Sequence, residues 1–556
     1  MTRVLAFQRA ISLLAAVGFL VACGDDDTSS PNAPDAATAD ASDDHPASDA
    51  GTSHEPSDPL HVKLADGELE GKTVSDDARA FLGIPYAKPP VGALRWKAPQ
   101  KNDAWMGTRE VKEFSARCAQ PVSQVPSAPR TENEDCLYLN VWTPTPPPKA
   151  KLPVMVWIHG GGNVNGSTSE TVPFANSGIF YDGQYLAKRG VVMVSMNYRL
   201  GTFGFFSHAG LETEGATGNQ GLRDQQLALD WVKKNIEKFG GDPGNVTIFG
   251  ESAGSFNVCF HVASPKSRGL FQRAVSQSGG CTTLQTTKQQ ANMTGAALAT
   301  KLGCSGGDAL ACMRGKSAGE ILDAAPNDVA MSGNLGAIVD GDFIPEQART
   351  LFDRGDIAKV PYILGSNTDE GTLFLLGQTA PKDQASYMTA LEMRFGKDRA
   401  AAIATQYPAS KFSGDYNAAL ARAWGDAQLV CTTFDSAVRA AKGGAKVYMY
   451  NFDVAPNIPG FMLGALHGAE LTLVFGTAPD FNDQTRAVSD RIQGYWTNLA
   501  KAGDPNAGDL LKWPEFTESS NVRMNFGLES KVVNDFRADD CAFWRADYDK
   551  AFAAAK

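Results

Sequence analysis

The sequence predicts an α/β fold: a large, mostly parallel central sheet with helices on both faces. Three observations carry this. Short apolar runs bounded by loop residues recur along the chain, as strands buried on both faces require. Between them, apolar residues recur at helical spacing. Over residues 245–262 a β run, a sharp glycine turn and a helical stretch follow one another directly. Such alternation winds helices onto both faces of a parallel sheet, because the crossovers share one hand.

Taken in order, Val62 to Gly71 reads as a β-hairpin turning at Asp66-Gly67. The run Leu152 to Ile158 (Leu-Pro-Val-Met-Val-Trp-Ile) and the run Val191 to Asn197 read as buried parallel strands. From Asn219 to Phe239, Leu222, Leu227, Leu229, Trp231, Val232 and Ile236 mark a helix with one apolar face. Val246 to Phe249 is the next strand, and Ser255 to Val262 the helix after it. Arg273–Gln277, Val360–Leu364 and Lys446–Phe452 supply further short strands. No internal repeat and no interior linker interrupts this series, so residues 61–556 are taken as one domain.

The first sixty residues read differently. Arg3 and Arg9 flank an apolar core from Ala10 to Ala22 that is too short to span a bilayer, so residues 1–22 are expected to be a cleaved leader. The leader ends Leu20-Val21-Ala22-Cys23, which resembles a bacterial lipobox. That resemblance implies diacylation of Cys23, membrane attachment through the lipid, and a place in the cell envelope (outer membrane, or secreted). Residues 23–60 form an acidic tether of Asp, Ala, Ser, Pro and Thr with no aromatic residue, a composition unable to bury enough apolar surface to order itself. The tether holds ten acids and the leader two arginines, so of the chain's formal charge of −11 only −3 belongs to the body. The acidity therefore names no cationic substrate, and nothing basic points to nucleic acid.

There are nine cysteines, leaving eight if Cys23 is acylated. An even number in an exported chain invites disulfides, with Cys118/Cys136 and Cys304/Cys312 the nearest neighbours in sequence. No Cys-x-x-Cys and no His/Cys cluster has zinc spacing, so neither metal nor cofactor is expected.

The chemistry centres on Gly250-Glu251-Ser252-Ala253-Gly254. A Gly-x-Ser-x-Gly between strand and helix is a nucleophile elbow, whose strained turn lifts the serine hydroxyl clear of the sheet. The same pattern recurs at Gly315-Lys316-Ser317-Ala318-Gly319, but no apolar strand precedes it. Ser317 is expected to cap a helix instead. A serine hydroxyl needs a base, and the base an orienting acid. Of seven histidines, His45, His54 and His61 belong to the tether or its edge, and His159 to a glycine loop. His261 lies on the helix that Ser252 starts and points away. In α/β-hydrolases the order is Ser, acid, His, which leaves His467 as the base. The acid is sought in Ser366-Asn367-Thr368-Asp369-Glu370-Gly371, where pattern does not choose between Asp369 and Glu370. His159-Gly160-Gly161-Gly162 follows a buried strand directly. The N–H groups of Gly161, Gly162 and Ala253 are the candidate oxyanion donors.

With these residues in view, the chain resembles the type-B carboxylesterases, a family of α/β-hydrolases that includes bacterial esterases and cholinesterases. The matching stretches are Phe81–Trp96, Glu134–Asn140, 157–162, Gly218–Gln225, Gly241–Gly254, Asp369–Gly371, and His467-Gly468 with the trailing Val474-Phe475-Gly476. The resemblance implies an α/β-hydrolase fold, Ser252 as nucleophile, His467 as base and Glu370 as acid. It implies a buried supporting carboxylate at Glu251, and disulfides Cys118–Cys136, Cys304–Cys312 and Cys431–Cys541. Cys259 and Cys281 are left over, free or bridged. Two departures stand out. The family usually has an aromatic residue after the glycine triplet, where this chain has Asn163, so an altered lining of the pocket mouth is expected. Cholinesterases also carry a cation-binding Trp in the first disulfide loop, whereas residues 119–135 hold no aromatic side chain. The expected activity is hydrolysis of a small carboxylic ester through an acyl-enzyme. A lipase acting on long acyl chains and a non-catalytic adhesion protein on the same scaffold are the alternatives.

Overall fold

Eleven strands form the sheet on which everything else is hung. The computed structural model describes residues 58–124, 127–172, 178–215, 218–325, 336–457 and 463–555. The leader, Cys23 and the tether up to residue 57 lie outside them. The strands are β1 (Lys72–Ser75), β2 (Ala78–Pro85), β3 (Tyr138–Pro144), β4 (Leu152–Ile158), β5 (Val192–Met196), β6 (Gly241–Glu251), β7 (Arg273–Gln277), β8 (Tyr362–Asn367), β9 (Val447–Phe452), β10 (Val522–Phe526) and β11 (Ser530–Asn534). Their spatial order is β11-β10-β9-β8-β7-β6-β4-β5-β3-β2-β1. From β5 across to β10 every pairing is parallel, and antiparallel strands finish both edges. The hairpin expected at residues 62–71 pairs His61–Lys63 with Glu68–Glu70 and extends a separate small sheet.

The apolar runs are strands because both faces are covered. Side chains alternate across a strand. In β4, Val154, Val156 and Ile158 enter one core while Met155 and Trp157 enter the other. The same split sends Val246 and Ile248 of β6 one way and Phe249 the other. The first face is packed by α1 (Gln220–Asn235), α2 (Ala253–Ala263), α3 (Cys431–Lys442) and α6 (Ala538–Ala554). The second is packed by α4 (Leu471–Phe475) and α5 (Asp483–Ala502), with Trp496 and Phe475 fully buried. Residues on both layers are removed from water, and each buried large side chain contributes about 1.5–3 kcal/mol.

Four disulfides brace this body. Cys118–Cys136, Cys304–Cys312 and Cys431–Cys541 pair as the resemblance implies. Cys259 and Cys281, left open by the sequence, are also bonded to each other. They join α2 to the segment after β7, two elements that are neighbours only in space. The Gly315–Gly319 pattern behaves as expected: Ser317 is the N-cap of the short helix Ala318–Ala324, in a reciprocal capping box with Glu320.

Candidate active site

The parallel strands all end on one rim, and that rim is where an open α/β sheet places its ligands. β4 runs out into the glycine loop, β6 into Ser252, β8 into Glu370, and β9, by a longer path, into His467. Folding thus gathers residues more than two hundred positions apart by ending four strands of one parallel stretch of sheet, with β7 among them, at the same edge.

Ser252 sits at the N-cap of α2 with φ 56° and ψ −123°, a conformation that side chains rarely adopt. The turn is held by Ser252 N–H donating to the Gln277 carbonyl (2.9 Å) and by Phe256 N–H donating to the Ser252 carbonyl (3.1 Å). Gly250 and Gly254 are required here. A Cβ on Gly250 would lie 2.6 Å from the Gly254 backbone, and one on Gly254 would run into the Ile158 carbonyl.

The loops after β8 and β9 are laced together. Asp369 N–H donates to Ala465 O (2.9 Å), and Asn367 Nδ2 donates to Leu466 O (2.8 Å). This lacing sets His467 beside Glu370. His467 Nδ1 donates to Glu370 Oε2 over 2.6 Å, and Asn367 N–H donates to Glu370 Oε1 over 2.7 Å. Glu370 is fully buried, whereas half-buried Asp369 turns away from His467, accepting from Ala465 N–H (3.1 Å) and lying 3.6 Å from Arg422. The structure therefore separates the two adjacent acids that the sequence pattern left level.

His467 Nε2 faces Glu251 Oε1 at 3.2 Å, and no hydrogen bond joins the ring to Ser252 Oγ. Glu251 makes the last parallel pairing of β6, with Gln277, and precedes Ser252, so its buried carboxyl stands beside the elbow. Burial pushes Glu251 up to about 8, with His467 pulling the other way. Burial alone would lower His467, but Glu251 and Glu370 reverse this and hold it up at about 9. A proton is thus shared within a group, and its titration belongs to the group. Sequence reasoning gave no role to a third carboxylate, Glu470. It is buried, accepts from Gln277 Nε2 (3.0 Å) and Asn367 Nδ2 (2.6 Å), and is raised by burial and by Glu370. Its position three residues after His467 was the only signal available. The Phe374 ring packs over His467 with centroids 5.2 Å apart.

The glycine loop lies over the elbow: a Cβ on Gly160 would come within 3.1 Å of Ser252 Cβ. Gly161 and Gly162 take φ 96° and 65°. The Gly161 carbonyl is occupied by the Val164 and Asn165 N–H groups, while no acceptor among the described residues takes the Gly161 or Gly162 N–H. Ala253 N–H is at the first position of α2, where a helix leaves donors unpaired. Asn163 stands where the family usually has an aromatic residue. It is 1% exposed, because its amide is drawn inward to Asn257 and Tyr198. Two other buried histidines are structural. His261 bonds Ser267 and Gln225 inside the core, and burial lowers His159, stacked on Tyr198, to about 4.

The strand order and the strand–turn–helix carrying Ser252 define an α/β-hydrolase. The family model described as the carboxylesterase family matches residues 58–544. The chain is 36% identical over 515 residues to a cholinesterase of Mus musculus, covering 85% of this chain and 83% of that protein. The chain belongs to the carboxylesterase family and is a carboxylic ester hydrolase.

Proposed function

We propose that Ser252, His467 and Glu370 form the catalytic triad of this hydrolase, with an acyl-enzyme intermediate. Neutral His467 takes the Ser252 proton as Oγ attacks the ester carbonyl, and the imidazolium formed is stabilised by Glu370 at Nδ1. The N–H groups of Gly161, Gly162 and Ala253 receive the developing oxyanion, where each donor is worth about 3–4 kcal/mol of barrier. His467 then returns the proton to the departing alcohol. Water repeats the sequence on the acyl group, releasing the acid. The observation carrying this reading is the strained Ser252 turn on the same rim as a buried, doubly anchored His467–Glu370 pair. Rotation of the ring from Glu251 toward Oγ completes the relay, in line with catalytic hydrogen bonds that tighten only around substrate.

The substrate we propose is a small carboxylic ester without a quaternary ammonium group. The cholinesterase likeness does not extend to choline here, since residues 119–135 carry no aromatic face for a cation. Attachment to a membrane through acylated Cys23 belongs to the same proposal. Ser252→Ala is expected to fold normally and to lose about 10⁶-fold in kcat toward a short p-nitrophenyl ester. It should also resist labelling by a fluorophosphonate that modifies the native chain at one site. Undiminished turnover or labelling in that variant overturns the assignment.

A further inference from the structure

The glycine loop and the nucleophile helix are bolted to each other by one buried amide pair. Asn257 Nδ2 donates to Asn163 Oδ1 over 2.8 Å, and Asn163 Nδ2 donates back to Asn257 Oδ1 over 3.2 Å. Both residues are buried, at 1% and 0% exposure. Tyr198 Oη lies 2.7 Å from the His159 carbonyl oxygen and 3.1 Å from Asn163 Oδ1, its single proton serving both. The Asn163 carbonyl in turn accepts Gly201 N–H at 2.6 Å. A side-chain amide suits this place for two reasons. Its backbone holds φ 57°, which Asn tolerates better than other side chains, and it can donate and accept at once.

We infer that Asn163 and Asn257 are positioning residues that set the spacing of the oxyanion donors. Asn163 directly follows Gly161 and Gly162, whereas Asn257 stands on α2, little more than one turn beyond Ala253. The reciprocal bond therefore spans the two elements that each contribute N–H groups to the proposed hole. Neither amide touches substrate. Their effect on turnover passes through the backbone, where a shift of about 1 Å can cost about 10²-fold in rate. Both amides are buried, so removing one takes the reciprocal partner from the other and frees the loop to shift.

This inference rests on the proposed serine mechanism, and the two fail separately. Asn257→Ala and Asn163→Gly are compared with the native chain, the second chosen because glycine keeps the positive φ without strain. Turnover is expressed per site titrated with a fluorophosphonate, so that lost folding is not read as lost rate. The expected result is a fall of about 10²-fold in kcat per titrated site with KM within about threefold. Inhibition by a trifluoromethyl ketone, whose serine adduct carries an oxyanion, should weaken by the same factor as kcat/KM. Tyr198→Phe should give a smaller loss in the same direction. Turnover per site and ketone inhibition both within about threefold of native would sink the positioning role, even if fewer sites titrate. Failure of the native chain to take up the fluorophosphonate at Ser252 would instead sink the triad itself.

Discussion

His467 is held between carboxylates rather than beside one. Glu370 fixes its Nδ1 side at 2.6 Å, and Glu251 faces its Nε2 side at 3.2 Å. Burial would lower the imidazole, yet the two carboxylates raise it to about 9. A base must be neutral to accept the serine proton, so activity should rise with pH through an apparent pKa above the ordinary histidine value. Removing the charge at 251 removes part of what favours the imidazolium. Glu251→Gln is therefore expected to move the acid limb of the kcat/KM profile to lower pH. A pH–rate profile checks this, and a limb that stays put or moves up would show that Glu251 does not act on the ring. At this scale the sequence was informative about identity and poor on posture. Ser252 and His467 could be chosen from pattern, order and elimination. That Asp369 turns to Ala465 N–H and Arg422 while Glu370 is buried against His467 depends on how the loops after β8 and β9 lace together.

Among the elements, those with both faces buried were the most legible. The bounds of β4 and β7 agree with the sequence reading residue for residue, and in β4 the reason is that a run covered on both sides admits almost no polar position. The strands toward the sheet edges were not found. β3 buries Asn140 and Thr143, and β10 buries Arg523 and Asn525, polar residues that break the apolar signal yet are hidden by neighbouring segments. The α2 helix shows what sits beneath the elbow: all eleven of its residues are buried, and Cys259 bonds it to Cys281 beyond β7. A link closing a loop of 22 residues restricts the unfolded chain by about 3 kcal/mol. Cys259→Ala/Cys281→Ala should lose about that much stability, read as a lower denaturant midpoint under oxidising conditions. An unchanged midpoint would mean that the link does not constrain the unfolded chain as the loop-closure account requires.

Over the whole molecule, the proposed catalysis and the proposed attachment fall to different parts of the chain. The site is made by the ends of β4, β6, β8 and β9 together with their loops. The proposed anchor is Cys23, followed by an acidic segment with no aromatic residue to pack. The body's own net charge is small and negative, so it has no net electrostatic attraction to an anionic lipid surface. Cys23→Ser should shift the protein from the membrane fraction to the soluble one and leave kcat/KM toward a soluble ester unchanged. Fractionation followed by an ester assay tests both halves. A variant that stays wholly in the membrane fraction would remove the lipid from the account.

Taken alone, the chain's order of residues determined the class of fold, pointed to the proposed nucleophile and its base, and implied three of the four disulfides through the family likeness. Those are local or ordinal properties: periodicity, a strand–turn–helix signature, and the succession Ser, acid, His. Tertiary structure alone decided that Cys259 meets Cys281, that Glu470 joins the carboxylates, and that Asn163 turns inward to grip Asn257. Each of these depends on which segments become neighbours when parallel strands stack side by side. Distance along the chain carries no record of that adjacency.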